Sequence, residues 1–402
     1  MTRAGAFPSQ PGLRVPTALF AVHLLLAWAI APSNVLLGAA VLALGAGGAA
    51  ALRFDESARP AIRLAIAYLL LLVAAMAASL APAGSLRAGS EIFNFATFAL
   101  ALLLVRGETQ VRWLVDALLL VGGVLALWGL GQFLIGYGEL DRRIRGPFSH
   151  YMTFSGVLLM LDMLLVARLL ERQREAAGSG PTAWLDRPWV AWSILAAMTS
   201  ALFASLTRGA WVALAAALVV VLTRWRPRLL ALLPAAALAF LLVAPVPVLA
   251  RALSIADPFD SSNYDRVCMA EAGLRMIGER PLLGVGPGQV TRIYPLYRHP
   301  TAPRLVVPHL HNAYLQLGAE RGIPALSVFV ALLATAVIGA ERGLRRGGPA
   351  VDLQLGFLGA IGAFAVAALF EDNWGDTEVQ RLALFLLAAP FCLSHGSESE
   401  PR

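Results

Sequence analysis

Apolar runs of about twenty residues recur along this chain from end to end, and no other feature restricts its fold as tightly. They stand at roughly 15–31, 34–52, 61–80, 90–105, 112–136, 151–170, 188–206, 210–223, 229–247, 323–340, 351–370 and 379–395. A bilayer core holds no water to satisfy backbone N–H and C=O groups, so such runs must be helical. The expected fold is an all-α polytopic membrane protein with about 12 transmembrane helices. The eighth run is short for a full crossing. Charged residues make up 14% of the chain, well below the quarter typical of a soluble domain. No linker or repeat divides the sequence, so 1–402 reads as a single membrane domain. The first run, from Val15, lacks a small-residue cleavage site and reads as a helix, not a signal peptide.

Only one connection is long, 248–322, and it is expected to hold short helices. Its side follows from the arginines, because cytoplasmic loops carry the excess of positive charge. Alternate connections hold Arg53, Arg59 and Arg63; Arg106 and Arg112; Arg168, Arg172 and Arg174; Arg224, Arg226 and Arg228; and Arg342, Arg345 and Arg346. The opposite loops are poorer, with "DRRIRGPFSH" at 141–150 the exception. Both termini are then inside, and 248–322 becomes one large periplasmic loop of an inner-membrane protein. Cys268 and Cys392 fall on opposite sides, so no disulfide is expected, and neither forms a metal motif.

Chemistry on the outer face needs a substrate that brings its own activation, since nucleotides are cytoplasmic. The sequence has no Walker loop, no zincin histidine pair and no Asp-x-Asp of metal-dependent sugar transferases. "GVGPGQV" at 284–290 is glycine-rich but opens no dinucleotide fold, and reads as a turn. The formal charge is +7 and every basic residue is arginine, the side chain that binds phosphate bidentately. Arg142, Arg143 and Arg145 stand in "DRRIRG", Arg208 in "SLTRGAW", and Arg266, Arg275 and Arg280 in the long connection. A charge in a turn as tight and apolar as that of Arg208 must be paired or face a wet cavity. Several guanidiniums converging there would hold a diphosphate.

The stretch "VVPHLHNAYLQLGAERGIPAL" at 306–326 carries the other titratable groups. Residues 311–321 read as a helix with His311 and Asn312 in its first turn. Gly322 would stop it, and Pro324 would begin the next. A helix N-terminus disfavours imidazolium, so His311 is expected to accept a proton. His309 precedes it in extended chain, and the two rings need not face the same way. "FEDNWGDTEVQR" at 370–381 clusters Glu371, Asp372, Asp376 and Glu378, read as charge balance against the arginines and not as a metal site.

With these residues assembled, the chain resembles the O-antigen ligase family. The resemblance rests on Thr-Arg-Gly-Ala-Trp at 207–211, on Arg266 followed by "GLRMIGERPLLGVGPGQ", and on "HLHNAYLQLGAERGIPAL", in that order. It covers about 190–340, a ligase-like core that includes the long connection. The resemblance implies transfer of a glycan from undecaprenyl diphosphate to a sugar hydroxyl of lipid A–core, during lipopolysaccharide assembly. It implies no cofactor, no metal and no nucleic-acid partner; its partners are the lipid-linked donor, the acceptor and membrane lipids. It makes His311 the catalytic base and Arg208 and Arg266 the donor-binding arginines, with Arg142 and Arg145 beside them and His309 and Asn312 in support. A neutral imidazole would take the acceptor's proton, and fixed guanidiniums would stabilise the departing diphosphate. An O-antigen polymerase and a protein-directed oligosaccharyltransferase use the same donor. A small-anion transporter is the reading from another class, but transporters gather polar residues at midplane, not on one face.

Overall fold

The computed structural model describes residues 11–46, 54–137, 139, 142–171, 185, 187–255, 257 and 260–393. Arg53, Arg172 and Arg174, three of the arginines used for orientation, lie outside them. Among the described residues the chain is helical throughout, with no strand. The helices are α1 (Pro11–Leu25), α2 (Ile30–Ala46), α3 (Arg59–Ala77), α4 (Pro82–Ser85), α5 (Gly89–Leu104), α6 (Gly107–Leu134), α7 (Tyr151–Glu171) and α8 (Pro188–Ala204). They continue with α9 (Arg208–Trp225), α10 (Leu233–Val243), α11 (Val246–Leu253), α12 (Ser261–Glu279), α13 (Val290–Tyr297), α14 (Ala313–Arg346), α15 (Val351–Ala367) and α16 (Thr377–Cys392).

A helix stands at each of the twelve expected places, but among the described residues six segments are long and apolar enough to cross a bilayer: 56–77, 82–104, 107–134, 151–171, 208–225 and 313–346. The stretch 208–225, expected to be short, is among them, because the helix extends two residues beyond the apolar run at each end. The shorter apolar helices include α2, α8 and α15. α15 lies against α7 and α9, α16 against α5, and α14 against α3. Their facing surfaces form one core in which Phe154, Phe329, Phe357, Phe364 and Phe385 are fully buried. Both cysteines are free and buried.

The long connection is folded. α12 and α13 close over their own apolar cluster, built from Met269, Met276, Val290, Tyr294, Val307 and Leu310. Asp260 caps α12 by accepting from the backbone N–H groups of Ser262 and Asn263, both at 3.1 Å, which meets two of the orphan donors of that helix start.

This folded connection is fastened to the bundle through a break in α14. Gly322 has φ 82° and ψ 170°, which interrupts the helix, and Pro324 follows inside the second segment. A break frees backbone groups that would be costly to bury unmet. Here Val285 N donates to Ala319 O at 2.9 Å, Gly286 N to Glu320 O at 3.0 Å, and Ile323 N to Pro281 O at 2.7 Å. The glycine-rich stretch 284–290 is therefore a turn, as expected, and its work is to satisfy the break. Contact is backbone against backbone: a Cβ on Gly322 would lie 2.2 Å from Leu282 O, and one on Gly284 would lie 2.3 Å from the Glu320 carbonyl carbon.

The first segment of α14 is tied to the bundle by a buried polar network. Arg321 donates to Tyr68 Oη at 2.7 Å and to Glu91 Oε2 at 2.6 Å. Tyr68 Oη donates to Glu91 Oε1 at 2.6 Å, and Trp374 Nε1 donates to the same oxygen at 2.7 Å. Deleting one partner of such a pair leaves a buried charge unmet and costs about 3–5 kcal/mol. The network joins α14 to α3, α5 and the turn after α15, and that turn carries part of the site.

Candidate active site

α14 starts at Ala313, two residues later than expected, and Asn312 is its N-cap: its side chain accepts from Leu315 N at 2.9 Å. Its Nδ2 donates to Leu369 O at 3.0 Å, while Ala313 N donates to Ala368 O at 2.8 Å. These bonds clamp the end of α15 and the following turn onto the helix start. His311 stands just outside the helix at φ 50°, a left-handed conformation that a side chain this size adopts at a cost. That backbone turns the ring towards Glu371.

His311 Nδ1 lies 2.8 Å from Glu371 Oε2. A carboxylate only accepts, so Nδ1 carries a proton towards Glu371, and Nε2 is the ring nitrogen left for a substrate. The ring of His309 is 4.4 Å from that of His311, so the two do face one place, contrary to the looser expectation. His309 Nδ1 accepts the His311 backbone N–H at 3.3 Å. It therefore carries no proton towards Glu371, and its 3.4 Å approach to Oε1 is a meeting of two acceptors and not an ion pair. Burial pulls His309 down to about 4; Glu371 opposes this, and the charges of His311, His150 and Arg266 add to it. For Glu371, burial acts upward. The hydrogen bond and charge of His311 and the charges of His309 and Arg266 outweigh it and hold the carboxyl below its ordinary range. The acidic cluster was expected to balance arginines, but Glu371 serves the histidines first.

The arginines converge beside this pair. Arg208 opens α9 directly after the turn at Leu206, which has φ 54°. Its Nη1 donates to Ser254 O at 2.6 Å and to Ser254 Oγ at 2.9 Å, and Nη2 donates to Asp260 Oδ1 at 3.1 Å. Arg208 thus holds α12 to α9 and answers the sequence argument that its charge must be paired. Arg266 makes no hydrogen bond among the described residues, yet feels the charges of Glu371, Arg208 and Asp260. Burial and the neighbouring Arg208 lower it, with Glu371 opposing. Arg251 is drawn down to about 10 by burial and by Arg208 and Arg143, and reaches Asp260 only at 3.8 Å.

In "DRRIRG" the middle arginine joins the cluster. Arg143 stacks on Tyr151, 4.3 Å from the ring centroid, and its charge is felt at Arg208, Arg251 and His150. Arg142 instead lies over Tyr137 at 4.6 Å. Arg145 bonds Ser149 O at 3.0 Å and reaches the site only as a charge acting on His150. Arg142 and Arg145 are expected at the site from the family resemblance, and in an irregular loop that resemblance does not say which way each side chain turns.

Arg143, Arg208, Arg251 and Arg266 thus share one region, with Asp260 and Glu371 the carboxylates whose charges act there among the described residues. The excess of positive charge fits a multiply charged anion, which guanidiniums bind with short, charge-assisted bonds. For a metal, the described residues offer one group of three: one ligand atom each from His309, His311 and Glu371, all within 4.8 Å of one another.

Residues 193–330 match the family model described as O-Antigen ligase. Over that stretch, about a third of its length, the chain is similar to the O-antigen ligase family. No curated protein matches it. The matched stretch includes Arg208, Arg251, Arg266, His309 and His311; Arg143 and Glu371, which share the cluster, lie outside it.

Proposed function

We propose that this chain is an O-antigen ligase: it transfers a polysaccharide from undecaprenyl diphosphate to a sugar hydroxyl of lipid A–core at the periplasmic face of the inner membrane. The observation that carries the reading is the orientation of His311. With Nδ1 bound to Glu371 at 2.8 Å, Nε2 is left as the acceptor for the proton of an attacking hydroxyl. The hydroxyl oxygen bonds to the anomeric carbon, the bond to the diphosphate oxygen breaks, and the proton passes to Nε2. Glu371 is a positioning residue that also offsets the charge gained by the ring, as the buried carboxylate does in a serine-protease triad.

The diphosphate leaves with added negative charge. Arg266, with no protein hydrogen bond among the described residues, donates to it, with Arg251 and Arg143 beside it. Arg208 contributes its charge while holding Ser254 and Asp260, and so fixes where α12 presents Arg266. A single displacement inverts the anomeric centre. No step in this sequence calls for a metal ion.

The test is a purified assay with lipid-diphosphate donor and lipid A–core. His311→Ala should abolish transfer while donor binding persists; near-wild-type turnover in that variant removes the assignment. Product that lengthens on the lipid diphosphate, with none on lipid A–core, makes the protein a polymerase.

A further inference from the structure

The contact between His309 and Glu371 has no role in proton transfer. His309 Nδ1 and Glu371 Oε1 face each other at 3.4 Å, both as acceptors, while His311 Nδ1 stands 2.8 Å from the other carboxylate oxygen. The Nδ1 lone pair is held only by the 3.3 Å bond from the His311 backbone N–H, and a cation that displaces this bond can bridge Nδ1 and Oε1. Ligand atoms about 2.1 Å from a tetrahedral zinc lie about 3.4 Å apart, which is close to the observed spacing. The widest separation in the group is within 4.8 Å and closes by rotation of one imidazole. All three side chains are partly buried, and the rings are 4.4 Å apart.

We propose that His309, His311 and Glu371 form an inhibitory site for a borderline transition-metal ion such as Zn2+. Two imidazoles and one carboxylate match the donor set of three-ligand zinc sites, with the fourth position left to water. Imidazole donors favour zinc, copper and nickel over magnesium and calcium, and the positive charge of Arg266 nearby discriminates further against ions that bind weakly. Inhibition rests on the ligase reading and follows from the tautomer. A metal at His311 Nδ1 takes the lone pair there, and the ring proton moves to Nε2. The imidazole stays neutral, no proton is lost, and the nitrogen that would accept the hydroxyl proton is already occupied.

Tag-free full-length protein in detergent, titrated with Co2+ and then with Zn2+, tests the site independently of catalysis. One Co2+ per chain should give the visible bands of a low-coordinate ion, displaced by Zn2+ and not by Mg2+. His309→Ala and Glu371→Gln, each checked for a monodisperse elution profile, should each weaken binding about tenfold or more. Wild-type protein that gives no such bands overturns the site without reference to any variant, and so does binding unchanged in both variants. Zn2+ at concentrations that fill the site should stop glycan transfer, and a chelator should restore it. Binding with undiminished transfer would retain the site and refute the inhibition. Loss of the ligase reading leaves the Co2+ result standing.

Discussion

Replacing Glu371 by glutamine separates a positioning carboxylate from a bystander. Glutamine keeps the size and one acceptor oxygen but removes the charge that faces His311 Nδ1 at 2.8 Å. A hydrogen bond to a charged group contributes about 1.5–3 kcal/mol net. That contribution grows as the ring becomes imidazolium in the transition state, so it is drawn from kcat and not from ground-state binding. At about 1.4 kcal/mol per factor of ten, kcat should fall roughly 10- to 150-fold, with KM for the lipid donor nearly unchanged. Glu371→Ala should fall further, because the ring loses its tautomer partner as well as the charge. Steady-state transfer measured against donor concentration reads both constants. A Glu371→Gln enzyme with wild-type kcat, or one whose loss lies wholly in KM for the donor, would show that the 2.8 Å contact does not prepare the base.

Lysine at Arg266 keeps a charge but loses the planar fork; donor affinity, read with a lipid-diphosphate analogue, should drop about 10- to 150-fold for Arg266→Lys, and unchanged affinity would remove Arg266 from the donor site. Arg208→Lys should in addition loosen the long connection, seen as faster proteolysis within 250–265, because three hydrogen bonds to Ser254 and Asp260 go with the guanidinium. Gly322→Ala should cost more than the usual 1 kcal/mol of a glycine replacement, since its Cβ meets Leu282 O at 2.2 Å; an unaltered melting temperature would contradict the close approach. Burial raises Asp376 to about 7, with Glu371 and Glu378 adding to the rise and the Thr153 hydrogen bond opposing it. The folded state therefore holds a proton that the unfolded chain releases, and stability falls as pH rises from about 4 to about 7. Asp376→Asn should flatten that dependence and melt higher than wild type at pH 8.

The helices and the chemistry-bearing residues of 190–330 were legible because each is signalled locally. Hydropathy marks the spans, Gly322 and Pro324 mark the break, and an arginine in a tight apolar turn must be partnered. What stayed hidden is the pairing across the fold. Glu371 lies 60 positions from His311 and among three other acids, so its composition suggested charge balance. The bonds from Ala313 and Asn312 to the end of α15 bring that turn to the histidine. Arg143 was seen but ranked below its neighbours, since an irregular loop has no period from which to read direction. Arg251 lies in the short α11, whose place beside Arg208 is set by the fold of the whole connection. The helix starts two residues after His311, because Asn312 is the cap and leaves the histidine in a left-handed turn.

The break at Gly322 divides the work of α14 between two frames of reference. Beyond it, the apolar segment that includes Phe329 and Leu332 settles against α3 and answers to the thickness of the bilayer. Before it, the segment 313–321 is held by Val285 and Gly286 of the folded connection and by Tyr68 of α3 and Glu91 of α5. A continuous rod would carry every change of tilt to His311, and a 1 Å displacement there would part the ring from Glu371. The interruption lets the folded connection hold the start of α14 beside Glu371 while the long apolar segment takes its own direction in the bundle.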